Sequence, residues 1–207
     1  MQFSFGQHQA ALDELDRALS IAPRLASARA LNGFILLEQD KVPDALAAFG
    51  QARTLDAAFG PAWLGQGLCL LHEREFAGAR SAFQAAAALE PQRALFRSYM
   101  GKAASELGEG NAAEKEFGLA KKLDPKDPTA WLYSALHLWQ QNRINQAIRD
   151  LEHSIDLNDE LAPFRSRLLL DKDRSVRSAN LAAIYDDAGF PDVSRHTDER
   201  AVCSAKF

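Results

Sequence analysis

The chain contains 207 residues, of which 47% are hydrophobic and 25% are charged, and its formal net charge at pH 7 is −4. This is the composition of an ordinary globular protein with enough apolar residues for a continuous core. Because no run of eighteen apolar residues occurs, the sequence predicts no membrane-spanning helix, and the negative net charge argues against a nucleic-acid surface.

The N-terminal residues and the cysteines bear on the compartment. The first residues lack a basic region followed by an apolar run, so they are not expected to act as a secretory signal as they stand. Cys69 and Cys203 lie far apart in different contexts, which makes a disulfide framework improbable and is compatible with a reducing compartment. These features favour the cytoplasm without fixing the location.

Residues 1–25 predict one amphipathic helix that follows a turn at Gly6 and ends near Pro23. Its leucines, Leu12, Leu15 and Leu19, share an apolar face. The helix that would precede it is missing from the pattern, so this segment is interpreted as the second half of an incomplete helical hairpin. We expect the preceding part of a longer array, or another copy of the chain, to cover the apolar face.

From residue 26 to residue 161 the sequence repeats itself every 34 residues. A step of 34 from Gly67 reaches Gly33, Gly101 and Ala135, and the same step from Phe83 reaches Phe49, Phe117 and Leu151. Each period contains two stretches with apolar residues at helical spacing, separated by a short polar break. The sequence therefore predicts four helical hairpins, at 26–59, 60–93, 94–127 and 128–161.

The register breaks after residue 161 and resumes near the C-terminal end. Residues 162–174 are predicted to be an insertion or connector. The positions of Leu181, Tyr185 and Gly189 then match those of a first helix and its turn. Because Asp198 stands where an apolar residue belongs, residues 175–207 are interpreted as a degenerate repeat that caps the array with a polar outer face.

The second period carries a known signature. The residues that match it are Trp63, Gln66, Gly67, Leu70, Ala79, Phe83, Ala86 and Pro91. In these positions the sequence resembles the tetratricopeptide repeat family, and in particular a segment of a longer bacterial array. The resemblance implies an all-α fold, a right-handed α-α superhelix of helical hairpins, and a role as a non-enzymatic protein–protein interaction scaffold. It also keeps the bacterial cell envelope open as a location.

The sequence predicts no catalytic residue, no cofactor and no metal site. None of its five histidines has a second ligand at metal spacing, and no phosphate-binding glycine loop is present. Cys69 lies among leucines and is expected to be a buried, inert thiol. Lys121 and Lys122 are interpreted as cations that complement the end of a helix.

The resemblance places the first helix of each hairpin on the concave wall of the superhelix, where such proteins bind their partners. The family's ligand-facing positions correspond here to Phe34, Leu37, Leu64, Leu68, Leu71, Tyr99, Lys102, Tyr133, Leu136 and Trp139. The positions of the family's carboxylate clamp hold Ala30, Phe34, Gly65, Leu95 and Tyr99, so a clamp is not expected. The wall instead predicts a protein partner that offers an apolar or amphipathic peptide segment.

Two alternatives to this groove stay open at the level of sequence. The wall residues can pack within the chain, with Leu168, Leu169 and Leu170 of the connector lying in the groove. The chain can also be a homo-oligomeric assembly module of a larger multidomain protein, with contacts through the incomplete N-terminal unit.

Overall fold

Every secondary-structure element in the described part of the chain is an α-helix. The computed structural model describes residues 14, 15, 17, 21, 22, 24–161, 171–190 and 194, without the side chains of 159–161 and 171–176. The predicted all-α fold of helical hairpins is confirmed. The chain divides into two compact units, Met1–Pro91 and Gln92–Phe207.

Unit 1, Met1–Pro91, contains two helical hairpins. Their helices are α1 (Ala26–Glu38), α2 (Val42–Leu55), α3 (Gly60–His72) and α4 (Phe76–Leu89). Ahead of them, Leu15 is buried and packs against Ala28 and Ile35 of α1. This leucine is therefore covered by its own chain, whereas Leu12 and Leu19 lie outside the described residues.

In the described part of unit 2, Gln92–Phe207, there are two further hairpins and one additional helix. The elements are α5 (Ala94–Glu106), α6 (Gly110–Leu123), α7 (Pro128–Gln140), α8 (Ile144–Leu161) and α9 (Asp171–Asp187). Leu181 and Ile184 of α9 join the core of the last hairpin. Most of the predicted connector and the segment after Phe190 lie outside the described residues, and the predicted repeat limits remain a prediction.

The turn within each hairpin has one residue in the left-handed region. These residues are Asp40, Arg74, Gly108, Asn142 and, after α9, Gly189, with φ between 58° and 81°. The first four are spaced by 34 residues, and in all five turns the left-handed residue donates its N–H to the carbonyl three positions earlier. This hydrogen bond satisfies a carbonyl at the end of the first helix, which explains why the conformation recurs.

The core of each hairpin depends on a small residue in the first helix that faces a large one in the second. A Cβ added at Gly33 would lie 2.7 Å from the ring of Phe49, and one added at Gly101 would lie 2.6 Å from the ring of Phe117. Gly65, the sixth residue of α3, also faces the Phe49 ring. In the last hairpin the pair is Ala135 with Leu151, both fully buried. Glycine and phenylalanine therefore fill the space that alanine and leucine fill there.

Within each unit, a cation near the end of a second helix stacks on a tryptophan of the next first helix. The guanidinium carbon of Arg53 lies 3.8 Å from the centre of the Trp63 ring, and Lys121 Nζ lies 4.2 Å from that of Trp131. Both indole N–H groups donate to a carbonyl of the preceding turn. These contacts join consecutive hairpins in the same way in both units.

Candidate functional site

The first helices of the hairpins carry one buried column, which includes the predicted groove residue Leu64, and three partly exposed columns that hold the other nine. Residues of the buried column are at most 6% exposed; they are Ala30, Leu64, Ser98 and Leu132. Leu64 therefore belongs to the core side of α3 and offers little surface to a partner. The other nine predicted groove residues are partly exposed, as a binding surface requires.

In unit 1 the partly exposed residues lie on α1 and α3. Phe34 and Leu37 pack against the core around Phe49, and the Phe34 and Phe49 rings meet edge to face with centroids 4.9 Å apart. Leu68 and Leu71 occupy the equivalent positions on α3 and are also partly exposed. Together these four side chains form an apolar surface on the first helices of unit 1.

In unit 2 the equivalent surface on α5 and α7 is aromatic and carries a charge. The centroids of the Tyr99 and Tyr133 rings are 5.4 Å apart, and Lys102 Nζ lies 4.8 Å from the centre of the Tyr133 ring. Burial lowers the pKa of Lys102, while Glu106, whose carboxylate lies 3.8 Å from Lys102 Nζ, opposes this shift. This ammonium is partly desolvated, so an approaching carboxylate interacts with it more strongly than with a lysine in bulk water.

The remaining predicted residues of unit 2, Leu136 and Trp139, lie next to α9. The indole N–H of Trp139 donates to Asp187 at 2.8 Å. Leu136 and Trp139 both pack against the core that includes Leu181. Leu136 and Trp139 therefore make contacts within the chain, in line with the self-packing alternative for these two residues. Leu168, Leu169 and Leu170, which that alternative also involves, lie outside the described residues.

A second polar link joins α9 to the last hairpin. The hydroxyl of Tyr185 donates to the carboxylate of Glu152 on α8. Burial, together with this hydrogen bond and the charge of Glu152, raises the pKa of Tyr185 to about 12. The phenol therefore stays protonated at physiological pH and remains a hydrogen-bond donor that holds α9 against α8.

The C-terminal ends of α5 and α7 are joined by a network that the sequence did not indicate. His137 is 5% exposed, and its Nδ1 lies 2.7 Å from Ser105 Oγ while its Nε2 lies 2.9 Å from the amide nitrogen of Gln141. Because the amide nitrogen donates, Nε2 accepts and the ring proton of neutral His137 resides on Nδ1. His137 then donates to Ser105, so in this arrangement it is not a base for the serine hydroxyl.

A further group that the sequence did not indicate lies on α6, α7 and α8. Lys121 Nζ is 2.6 Å from Asp150 Oδ2 and 2.9 Å from Ser134 Oγ, and the Ser134 hydroxyl donates to the same carboxylate at 2.6 Å. Lys121 lies in the last turn of α6, as the sequence predicts, and its ammonium is in addition partly buried in an ion pair. Lys121 lies 68 residues after Arg53, as Trp131 does after Trp63, so the period could have revealed the stacking of Lys121 on Trp131 but not its pair with Asp150.

Comparison with known proteins assigns the fold to a family. A family model described as tetratricopeptide repeat matches residues 33–94 and 100–158, which is more than half of the chain. The chain belongs to the tetratricopeptide repeat family. Its hairpins are thus tetratricopeptide repeats, and the predicted family and fold class are confirmed. The family provides scaffolds for protein–protein interaction, and a search of curated proteins finds no match.

Solved structures show the same tetratricopeptide repeat fold at low sequence identity. The crystal structure of the APC/C hetero-tetramer Cut9-Hcn1 matches with a TM-score of 0.83 and 21% identity over 97% of this chain. This chain spans only 37% of the length of that one. YrrB, described as a TPR protein with an unusual peptide-binding site, matches with a TM-score of 0.56 and 15% identity over 92% of this chain and 91% of its own. A MamA structure from Desulfovibrio magneticus RS-1 matches with a TM-score of 0.59 and 12% identity over 88% of this chain and 96% of its own.

Three further observations concern chemistry outside the tetratricopeptide repeat surfaces. Cys69 is fully buried, and burial, as the largest cause, raises the pKa of its thiol to about 11, so the thiol stays protonated and inert. Among the described residues, no cluster of three histidine, cysteine or carboxylate side chains is arranged to hold a metal ion. No helix in the described part of the chain is both long and apolar enough to cross a bilayer.

Proposed function

We propose that the first helices of unit 2 bind an apolar or amphipathic peptide segment of a protein partner. The observation that carries this proposal is the surface formed by Tyr99, Tyr133 and Lys102, in which two partly exposed rings lie 5.4 Å apart beside a partly desolvated ammonium. Leu136 and Trp139 extend the same surface along α7.

The chemistry of this surface favours a segment with both apolar and acidic side chains. Aromatic residues that are partly exposed in the free protein supply most of the binding energy at many interfaces, because their burial removes a large apolar area from water. Lys102 adds a position at which a carboxylate of the partner is stabilised. The partly exposed residues Phe34, Leu37, Leu68 and Leu71 support an equivalent apolar surface in unit 1.

The test begins with selection of twelve-residue peptides from a random display library on the immobilised chain. We expect the selected peptides to be rich in leucine and aromatic residues, and Tyr99→Ala to weaken their binding by at least about tenfold. Phe190→Ala is the matched control, because Phe190 is a 54% exposed aromatic residue outside this surface. Binding by fluorescence anisotropy should be unchanged in the control.

One result would contradict the proposal. If Tyr99→Ala combined with Leu136→Ala retains wild-type affinity for every selected peptide, while circular dichroism shows unchanged helicity, the first helices of unit 2 are not the binding surface.

A second candidate function is homo-oligomeric assembly through the N-terminal part of unit 1. The supporting observation is that two large apolar residues before α1 are open to solvent, Ile21 at 84% and Leu25 at 45% exposed. Leu15 is excluded as a contact because it is buried within the chain. Light scattering should then show a dimer that Ile21→Asp with Leu25→Asp converts to a monomer, whereas Leu123→Asp does not. A monomeric wild-type chain at high concentration would exclude this candidate.

A further inference from the structure

A cleft on the second helices of unit 2 has no role in the surface proposed above. It has a volume of about 610 Å³ and is lined by side chains of α6, α7 and α8 and of the turn between α7 and α8. The residues that α7 contributes to this cleft, Trp131, Ser134 and Leu138, differ from those it contributes to the first-helix surface. The volume is within the range of about 300–1,000 Å³ that is typical of ligand sites.

The cleft contains more positive than negative charge. Three cations line it, Lys121, Arg143 and Arg149, together with two carboxylates, Glu114 and Asp150. The carboxylates pair with two of the cations, Asp150 with Lys121 at 2.6 Å and Glu114 with Arg143 at 2.7 Å.

The third cation, Arg149, takes part in neither of these ion pairs. Its side chain is exposed, and no carboxylate within the described ranges lies within ion-pair distance of its guanidinium. The cleft therefore offers one positive charge that a ligand can complement.

Apolar side chains also line the cleft beside these charges. The Trp131 ring is partly exposed and meets the His153 ring edge to face with centroids 4.4 Å apart. Phe117 and Leu138 are buried beneath the cleft, so Trp131 supplies its main apolar surface. Neither an inorganic anion nor an uncharged apolar ligand would use both features.

We propose that this cleft binds a short acidic peptide segment in which an apolar side chain is flanked by carboxylates. The apolar side chain lies beside Trp131 in the cleft, and a flanking carboxylate pairs with the guanidinium of Arg149. The chain thereby gains a second partner site on its second helices, independent of the surface on the first helices.

Three synthetic peptides test this proposal. Each has nine residues, with a central leucine flanked on both sides by Glu, by Gln or by Lys in an otherwise Gly/Ser background. They are titrated into protein carrying ¹⁵N-labelled tryptophan, and the three indole N–H signals report separate places: Trp131 the cleft, Trp139 the first-helix surface and Trp63 unit 1. We expect the Glu peptide to shift the Trp131 signal with an affinity at least about tenfold higher than the Gln peptide, and the Lys peptide to cause no shift.

Two variants with the same change of charge complete the experiment. Arg149→Glu should abolish the preference for the Glu peptide, whereas Lys115→Glu, an exposed residue of α6 outside the cleft lining, should retain it. Far-UV circular dichroism and thermal melting confirm that both variants are folded.

The proposal is overturned if none of the peptides shifts Trp131, if the Lys peptide binds as well as the Glu peptide, or if Arg149→Glu leaves the preference intact. A Glu peptide that shifts only Trp139 would also overturn it, while supporting the first-helix surface. The two proposals therefore fail separately.

Discussion

Gly101 and Gly118 lie on adjacent helices of the same hairpin, and their replacement by alanine should have opposite effects on stability. A Cβ at Gly101 would lie 2.6, 2.8 and 3.1 Å from three ring carbons of Phe117, whereas a Cβ at Gly118 would meet nothing within 4 Å. Carbon atoms normally pack at about 3.5–4.0 Å. The Phe117 ring, which is 2% exposed, would therefore have to move by about 1 Å in a filled core.

The magnitudes follow from two opposing contributions. Alanine in place of glycine inside a helix stabilises by about 1 kcal/mol, which is the expected gain for Gly118→Ala. Overpacking of a core costs about 1–3 kcal/mol, and the short distances at Gly101 place it toward the upper end of that range. We therefore expect Gly101→Ala to lower the free energy of unfolding by about 1–2 kcal/mol.

Urea denaturation followed by circular dichroism measures both effects. A third variant, Phe117→Leu, and its combination with Gly101→Ala recreate the alanine–leucine pair that Ala135 and Leu151 form in the last hairpin. The double-mutant cycle should show a favourable coupling of at least about 1 kcal/mol. If Gly101→Ala is as stabilising as Gly118→Ala, the packing of glycine against phenylalanine does not determine the geometry of the hairpin.

Three other predictions concern turns, pH and the buried ion pair. Gly108→Ala should lower the free energy of unfolding by about 1 kcal/mol because Gly108 has a φ of 75°, and a neutral result in urea denaturation would contradict this. Burial lowers the pKa of His137 below its usual 6.5; the charge of Glu114 opposes this shift, and the charge of Arg143 adds to it. The unfolded chain therefore binds a proton before the folded one, so stability should fall as pH drops below about 6.5, and this loss should be absent in His137→Gln in melts at pH 8 and pH 5. Lys121→Met should cost about 1–3 kcal/mol because it leaves Asp150 partly buried without its cation, and a cost below about 0.5 kcal/mol would show the pair to be unimportant.

The sequence predicted those parts of the structure that recur with the period. Gly67 and Phe83 are repeated at steps of 34 because each hairpin solves the same packing problem, and the family signature at these positions gave the fold class. The turn residues followed the same spacing, although only one of the first four, Gly108, is a glycine. Local backbone geometry there recurs even where the residue type does not.

The site was only partly predictable, because contacts between hairpins do not follow one column. Leu64 was a predicted groove residue, yet both it and its neighbour Gly65 are buried. The packing of α3 on α1 and α2 decides which residues of α3 face the core. The pair of Lys121 with Asp150 spans 29 residues, and that of Ser105 with His137 spans 32. Neither equals the period, so a search by steps of 34 could not find them.

The contact between Gly65 and the Phe49 ring limits which residue position 65 can hold. Phe49 belongs to the first hairpin and Gly65 to the second, so the fit crosses from one module to the next. The third and fourth modules carry Tyr99 and Tyr133 at the equivalent place. Tyr133 packs beside Phe117, which is the equivalent of Phe49 in the third hairpin, so a phenylalanine in this column does not by itself exclude a large neighbour. The glycine is required by the close approach of α3 to Phe49, and a side chain at position 65 would force the two hairpins apart.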